Sequence, residues 1–294
     1  MTPQYLLNSS RALTVYNPSS ALYEFYAGLK ISGLLLSFSV LLFSCDGIKN
    51  KKRGMVGAYS MYKQMVNDGT KDSILDKNQL KIYTDKHIMY ASSSGIDSFA
   101  NYGIGTYEVK DNKIYEYIFL RSSEGSVATR DTAVLDIEES ATGYMQVIEQ
   151  IEVAGKMYKL TEQYDDVGKS TTSPLDGTWK QTQQYRVSTT GDTTTLPSQM
   201  QYKIYQSGYY IWTQTYKDSA NKSISVFGYG SFEMDGKNKS RETTLNSTFR
   251  TALMGKTYEL LLEFPTKDSY KQTIEFLSGV KSIEVYTRLG EQIE

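Results

Sequence analysis

Cysteine, histidine and proline are nearly absent from this chain, with one, one and five among 294 residues. A lone cysteine forms no internal disulfide, so the fold must rest on burial and backbone hydrogen bonds. A single histidine, His87, has no second imidazole or free thiol to complete a transition-metal site, and neither a metal nor a cofactor is expected. Charge is balanced as well. The 32 Lys and Arg against 33 Asp and Glu give a formal net charge of -1 and no global reason to bind nucleic acid. A glycine-rich phosphate loop, a nucleophile elbow and a calcium loop are all missing, so no enzyme is read from the motifs. No helical period is sustained outside one apolar run. What is abundant is tyrosine, with 25 residues, alongside Thr, Val and Ile, a composition that favours strands.

The apolar run Ile31–Cys45, ISGLLLSFSVLLFSC, follows Lys30. At about half to two thirds of the roughly 20 residues that a membrane-spanning helix needs, it reads as a secretory signal helix. It ends in Leu42-Phe43-Ser44-Cys45, with an aliphatic residue three before the cysteine and a small one directly before it. This resembles the lipobox of bacterial lipoproteins. The resemblance implies that Cys45 is diacylated on sulfur, becomes the new N-terminus by cleavage and is acylated again on its amine. Two or more acyl chains, at about 0.8 kcal/mol per buried methylene, hold a protein on a membrane without a spanning helix. Residues 1–44 are then a leader and signal peptide, and 250 residues remain from Cys45 onward. The first 29 residues are long for such a leader and read either as an extended one or as a start codon placed early. Residues 45–55, with Lys49, Lys51, Lys52 and Arg53, read as a solvated tether, with contact to anionic head groups as the alternative. The chain looks like a Bacteroidetes-type lipoprotein but lacks the acidic run that accompanies export to the cell surface. The expected location is the cell envelope, lipid-anchored and facing the periplasm, with the cell surface as the alternative.

Beyond Val56 the chain resolves into short β segments separated by polar turns. Eight fall between Val56 and Tyr164. Alternation is clear where Ala133, Leu135 and Ile137 share one face and Asp136 and Glu138 the other. After the small-residue linker GKSTTSP the series begins again, with eight segments between Gly177 and Leu289. Gly57-Ala58-Tyr59 returns as Gly177-Thr178-Trp179, and Lys81-Ile82-Tyr83 as Lys203-Ile204-Tyr205. Tyr102–Glu108 returns as Phe227–Glu233, and Gln146–Glu149 as Gln272–Glu275. The separations are 120, 122, 125 and 126 residues, a drift that small loop insertions explain. The chain is a tandem duplication, with domains at 56–167 and 176–294 around a linker at 168–175.

Eight antiparallel strands with short turns hide their edges most simply by closing into an up-and-down barrel. The order of segments, and the motifs GTW, KIYxxGYYIW and GYGSFE with their first-copy counterparts GAY, KIYTDKHIMY and GIGTYE, look like the lipocalin-like domains of secreted proteins from Bacteroidetes-type bacteria. The fold class is therefore all-β, two tandem eight-stranded antiparallel lipocalin-like barrels behind a cleaved signal helix. A sandwich of open sheets is the alternative. The expected function is a membrane-tethered module that binds a small apolar or amphipathic ligand. The alternative is an envelope scaffold whose closed barrels meet a protein or glycan through their loops.

Aromatic residues are the candidate site. Tyr83, Tyr90, Tyr102, Tyr205, Trp212 and Tyr229 lie on strands near the expected barrel bends, where amphipathic rings suit a mostly apolar pocket and equally suit a filled core. His87 fits a hairpin end or barrel rim. Glu108 and Glu233 follow the bends at matching positions, either turned outward or set in a barrel mouth. The paired glycines Gly103, Gly105, Gly228 and Gly230 lack a following helix, so they mark bends or bulges and not a phosphate site. Residues 54–167 carry 11 basic and 18 acidic groups, net -7, against 14 and 13, net +1, in residues 176–294.

Overall fold

The computed structural model describes residues 54–94, 100–123, 126–128, 131–153, 155–197 and 199–290. Cys45, the leader and most of the tether lie outside the described residues. Both copies belong to one compact unit, Lys52–Glu294.

In the first copy the strands are β1 (Gly57–Asn67), β2 (Asp72–Leu75), β3 (Lys77–Tyr83), β4 (His87–Ser94), β5 (Asn101–Lys110), β6 (Lys113–Ser123), β7 (Ser126–Ala128), β8 (Asp131–Glu139), β9 (Gly143–Val153) and β10 (Lys156–Asp166). The second copy runs β11 (Gly177–Val187), β12 (Thr193–Thr195), β13 (Met200–Gln206), β14 (Tyr209–Lys217), β15 (Ser223–Met234), β16 (Lys239–Ser247), β17 (Thr257–Thr266), β18 (Ser269–Glu275) and β19 (Lys281–Arg288). Each long strand pairs antiparallel with its neighbour, and the last returns to the first. Met65 opposes Thr161 across β1 and β10, and Tyr185 opposes Ile283 across β11 and β19. Both copies are thus closed eight-stranded up-and-down barrels, with β2, β7 and β12 as short additions at the rims. Closure leaves no long unpaired edge among the described residues, and an exposed edge is where sheets aggregate.

The paired glycines do two different jobs. A Cβ on Gly103 would overlap the ring of Tyr90, and one on Gly228 the indole of Trp212, so these positions make room for an aromatic ring laid across the strand. At Gly105 and Gly230 a Cβ would run into the carbonyl of the next strand, Tyr117 O and Thr243 O. The register shifts at Ile104/Gly105 and at Tyr229/Gly230 because β6 and β16 each hold one extra residue, Phe119 and Leu245, so the second glycine of each pair faces the bulge in the neighbouring strand where the barrel turns its corner.

Alternation on β3 and β13 runs opposite to the simple expectation that apolar residues face the barrel interior. Gln79, Lys81 and Tyr83 point in, and Leu80 and Ile82 point out; Gln201, Lys203 and Tyr205 point in, and Tyr202 and Ile204 point out. The outward residues are covered because the barrels lie side by side. Leu80, Ile82, Met89 and Ile104 of the first form one apolar cluster with Ile204, Ile211 and Phe227 of the second. Burying an Ile or Phe side chain contributes about 1.5–3 kcal/mol, so this contact is a substantial part of the fold. The linker is docked as well. Val167 N donates to Ala58 O (2.9 Å) and Lys169 N to Ser207 O (2.8 Å), while Leu175 is fully buried in the second barrel. Met55, assigned from the sequence to the tether, is 4% exposed and closes the base of the first barrel against Tyr59 and Tyr144.

Candidate ligand-binding site

The base of each barrel, where β1 or β11 begins, is filled by aromatic rings. In the first, Tyr144 stacks on Tyr164 with centroids 4.9 Å apart and Tyr59 stands edge-on to Tyr144 at 5.0 Å. In the second, Tyr270 stacks on Tyr286 at 4.8 Å, Trp179 stands edge-on to Tyr270 at 4.8 Å, and the Arg288 guanidinium covers the indole at 4.1 Å.

Above the rings lies a buried polar floor that the duplication preserved residue by residue. In the first barrel Lys81 Nζ reaches Glu116 Oε1 at 3.1 Å and Gln146 Oε1 at 3.0 Å, and Tyr83 donates to Glu116 at 2.6 Å. Glu162 accepts from Gln64 (2.6 Å), Gln146 (2.5 Å) and Tyr164 (2.7 Å), and Gln79 donates to the Tyr164 hydroxyl. In the second barrel Lys203 reaches Tyr205 OH at 3.0 Å, Gln272 at 3.1 Å and Glu242 at 3.4 Å, while Tyr205 donates to Glu242 at 2.6 Å. Glu284 accepts from Gln272 (2.8 Å) and Tyr286 (2.5 Å), and Gln201 donates to Tyr286. Burial, reinforced by the neighbouring carboxylates, raises the hydroxyl pKa of Tyr83, Tyr164, Tyr205 and Tyr286 well above the usual range, so all four remain donors.

Over the floor of the second barrel opens a cavity of about 350 Å³. Its middle is a belt of Tyr210, Trp212, Tyr258, Leu260 and Ile274, with Phe249 and Phe276 higher up. Trp212 lies over Gly228 and meets Phe249 edge-on at 6.0 Å, so the bend glycine sets one wall of the cavity. Arg186, near the end of β11, and Arg250, in the connection after β16, are the exposed basic residues of the lining.

The sequence candidates separate into four groups. Trp212 lines the cavity directly, and Tyr205 sits in its floor network. Tyr83 and Tyr90 hold the matching places in the first barrel, with Lys81 Nζ 5.9 Å from each ring. Tyr102 and Tyr229 turn outward into the contact between the barrels, where Tyr102 OH meets Thr215 Oγ1 at 2.6 Å and Asn246 donates to Tyr229 at 3.2 Å. Their place one residue before an inward glycine puts them on the opposite face from the interior. His87, Glu108 and Glu233 stand apart from the cavity. His87 is buried at a hairpin end, its Nε2 3.2 Å from Gly290 O, and desolvation lowers its pKa so that the ring stays neutral. Glu108 is exposed, and Glu233 makes surface pairs with Lys169 (2.9 Å) and Arg241 (3.7 Å), which hold its carboxyl below the usual range.

Sequence reasoning missed the floor, Gln201, Lys203, Glu242, Gln272 and Glu284, and the rim residues Arg186, Phe249, Arg250 and Phe276. A signal for the floor was present. Lys81 and Lys203, and Gln146 and Gln272, are polar residues repeated at nearly the same offset, 122 and 126 residues. No protein-family model matches the chain, and no curated protein matches it.

Proposed function

We infer that the chain is a membrane-tethered binding protein that takes up one small apolar or amphipathic molecule in its second barrel, without turning it over. The observation that carries this reading is the cavity of about 350 Å³, walled by aromatic and aliphatic side chains above a small set of convergent polar groups. That volume and composition match small-molecule sites in general. The aromatic plug beneath supports a single entrance. Binding without chemistry is favoured because the floor carboxylates are already engaged by Lys203, Gln272, Tyr205 and Tyr286, which fix them as structural acceptors. The lipobox-like stretch ending at Cys45 supports anchoring in the cell envelope, with the barrels in the periplasm.

Two experiments test the reading. The neutral fluorophore N-phenyl-1-naphthylamine should brighten on binding the full chain with one-to-one stoichiometry. Ser282→Trp and Ile274→Trp, which fill the cavity from β19 and β18, should each abolish the signal while the melting temperature shows a folded protein. Uptake unaffected by both variants would place the site elsewhere. For the anchor, Cys45→Ser should move the protein from the membrane fraction to the soluble one; a variant that still pellets with membranes would refute lipidation at that residue.

A further inference from the structure

The cavity is layered by charge along the barrel axis. At its floor stand Lys203, Glu242 and Glu284, all less than 10% exposed, two carboxylates to one ammonium. In the middle is the belt of Trp212, Tyr258, Leu260 and Ile274, which carries no charge. At the rim are Arg186 and Arg250, both exposed, and neither has an ion-pair partner among the described residues. The Arg250 guanidinium rests 5.2 Å from the Phe249 ring centroid, a stacking that fixes the plane of the fork and leaves its edge donors for an acceptor. Acids in the turns at this end are otherwise engaged. Asp192 accepts from the Thr190 hydroxyl, and Asp218 from the amides of Ala220 and Lys222; neither lines the cavity.

The first barrel supplies the internal comparison. Arg186 opposes Ser282 across β11 and β19, and the corresponding pair across β1 and β10 is Val66 opposite Leu160. The floor is the same in both barrels, so the duplication has diverged at the rim: an apolar pair in one copy, an arginine and a small hydroxyl in the other.

We propose that the molecule held in the second barrel is an amphipathic anion, bound with its apolar body in the belt and its single acid group at the rim on Arg186 and Arg250. This rests on the reading of the cavity as a ligand site. The orientation follows from the floor. An acid driven inward would meet two buried carboxylates, Glu242 and Glu284, beside a Lys203 ammonium already engaged by Glu242, Gln272 and Tyr205, whereas an apolar end meets a network whose hydrogen bonds are made. At the rim the acid keeps partial hydration and gains charge-assisted hydrogen bonds from guanidinium forks suited to carboxylate or phosphate. A cationic amphiphile has no such place.

The test is displacement of N-phenyl-1-naphthylamine from the full chain carrying Cys45→Ser by dodecanoate, dodecanol and dodecylamine, below their aggregation limits, at neutral pH and about 50 mM salt. The expected result is dodecanoate at least tenfold tighter than dodecanol, with dodecylamine weakest. In the Arg186→Gln/Arg250→Gln variant dodecanoate should fall to the level of dodecanol measured on that same variant, with the melting temperature reporting a folded barrel. Equal affinity for dodecanoate and dodecanol, or a preference that survives the double variant, overturns the proposal and leaves the cavity reading standing. Failure of all three compounds and of the fluorophore removes the cavity reading and this proposal with it.

Discussion

Replacing Lys81 by Met isolates the buried floor from any ligand question, because it acts in the first barrel. The ammonium lies 3.1 Å from Glu116 and 3.0 Å from Gln146, with the paired side chains 3% and 5% exposed. It is also within 5.4–5.9 Å of the Tyr83, Tyr90 and Tyr164 ring centroids. Met keeps most of the stem volume, so the loss is electrostatic and not a cavity. Two carboxylates, Glu116 and Glu162, then share one interior without a cation, and Gln146 loses a donor. Removing one partner of a buried pair costs about 3–5 kcal/mol, and an unmet buried acceptor about 1–3 kcal/mol, with overlap between the two. A net loss of about 4 kcal/mol in a unit of this size lowers the melting temperature by about 10 °C. Adding Glu116→Gln removes the stranded charge and keeps an acceptor for the Tyr83 hydroxyl, so Lys81→Met/Glu116→Gln should recover more than half of the loss. Urea unfolding followed by tyrosine and tryptophan fluorescence measures both. A single variant that loses less than about 1 kcal/mol, or a double variant no better than the single, would refute the account of the floor as a mutually dependent charged network.

Two further predictions concern the bends and acid stability. Gly105→Ala and Gly230→Ala place a methyl group against a neighbouring carbonyl and should each lower the melting temperature by several degrees, whereas Gly54→Ala, with open space around it, should leave it unchanged. Equal effects at all three would contradict the bulge assignment. Burial raises the Asp176 carboxyl to about 6, above its unfolded value near 4. The folded state therefore binds the proton more tightly than the unfolded one. This residue's contribution favours the fold below pH 4 and is lost as pH rises from about 4 to 6. Asp176→Asn should consequently stabilise the protein at pH 7, by about 1 kcal/mol given the group's remaining exposure to water, and flatten that part of the pH profile. A variant whose stability changes with pH as the parent's does would show that Asp176 is not the group responsible.

The architecture was legible because it is written in local patterns. Turn residues such as Asp111-Asn112, which take left-handed backbone angles of φ 51° and 57° between β5 and β6, punctuate runs of strand length, and the duplication states them twice. The short strands β2, β7 and β12 were missed since three or four residues carry too little alternation to register. The site was harder to see. Alternation tells that two faces differ but not which one lies inside, and on β3 and β13 the apolar face is taken by the other barrel while Lys81 and Lys203 point inward. Tyr102 and Tyr229 were drawn into the candidate pocket for the same reason. Only the packing of one barrel on the other, a contact between residues more than 100 positions apart, decides the matter. Trp212 and Tyr205 were found because their neighbours Gly228 and Lys203 repeat with them. Arg186 and Arg250 went unnoticed because the copies differ there, and a search for likeness between repeats passes over the positions where they have specialised.

Native mass spectrometry of the protein after mild extraction from the cells that make it reads the claim that the second barrel holds a small molecule. The parent chain should carry one small molecule per chain beyond the mass measured after denaturation, and Ser282→Trp should carry none. A native mass equal to the denatured mass, accompanied by a co-purifying protein that Ser282→Trp retains, would contradict that claim and favour a scaffold whose loops meet a protein partner.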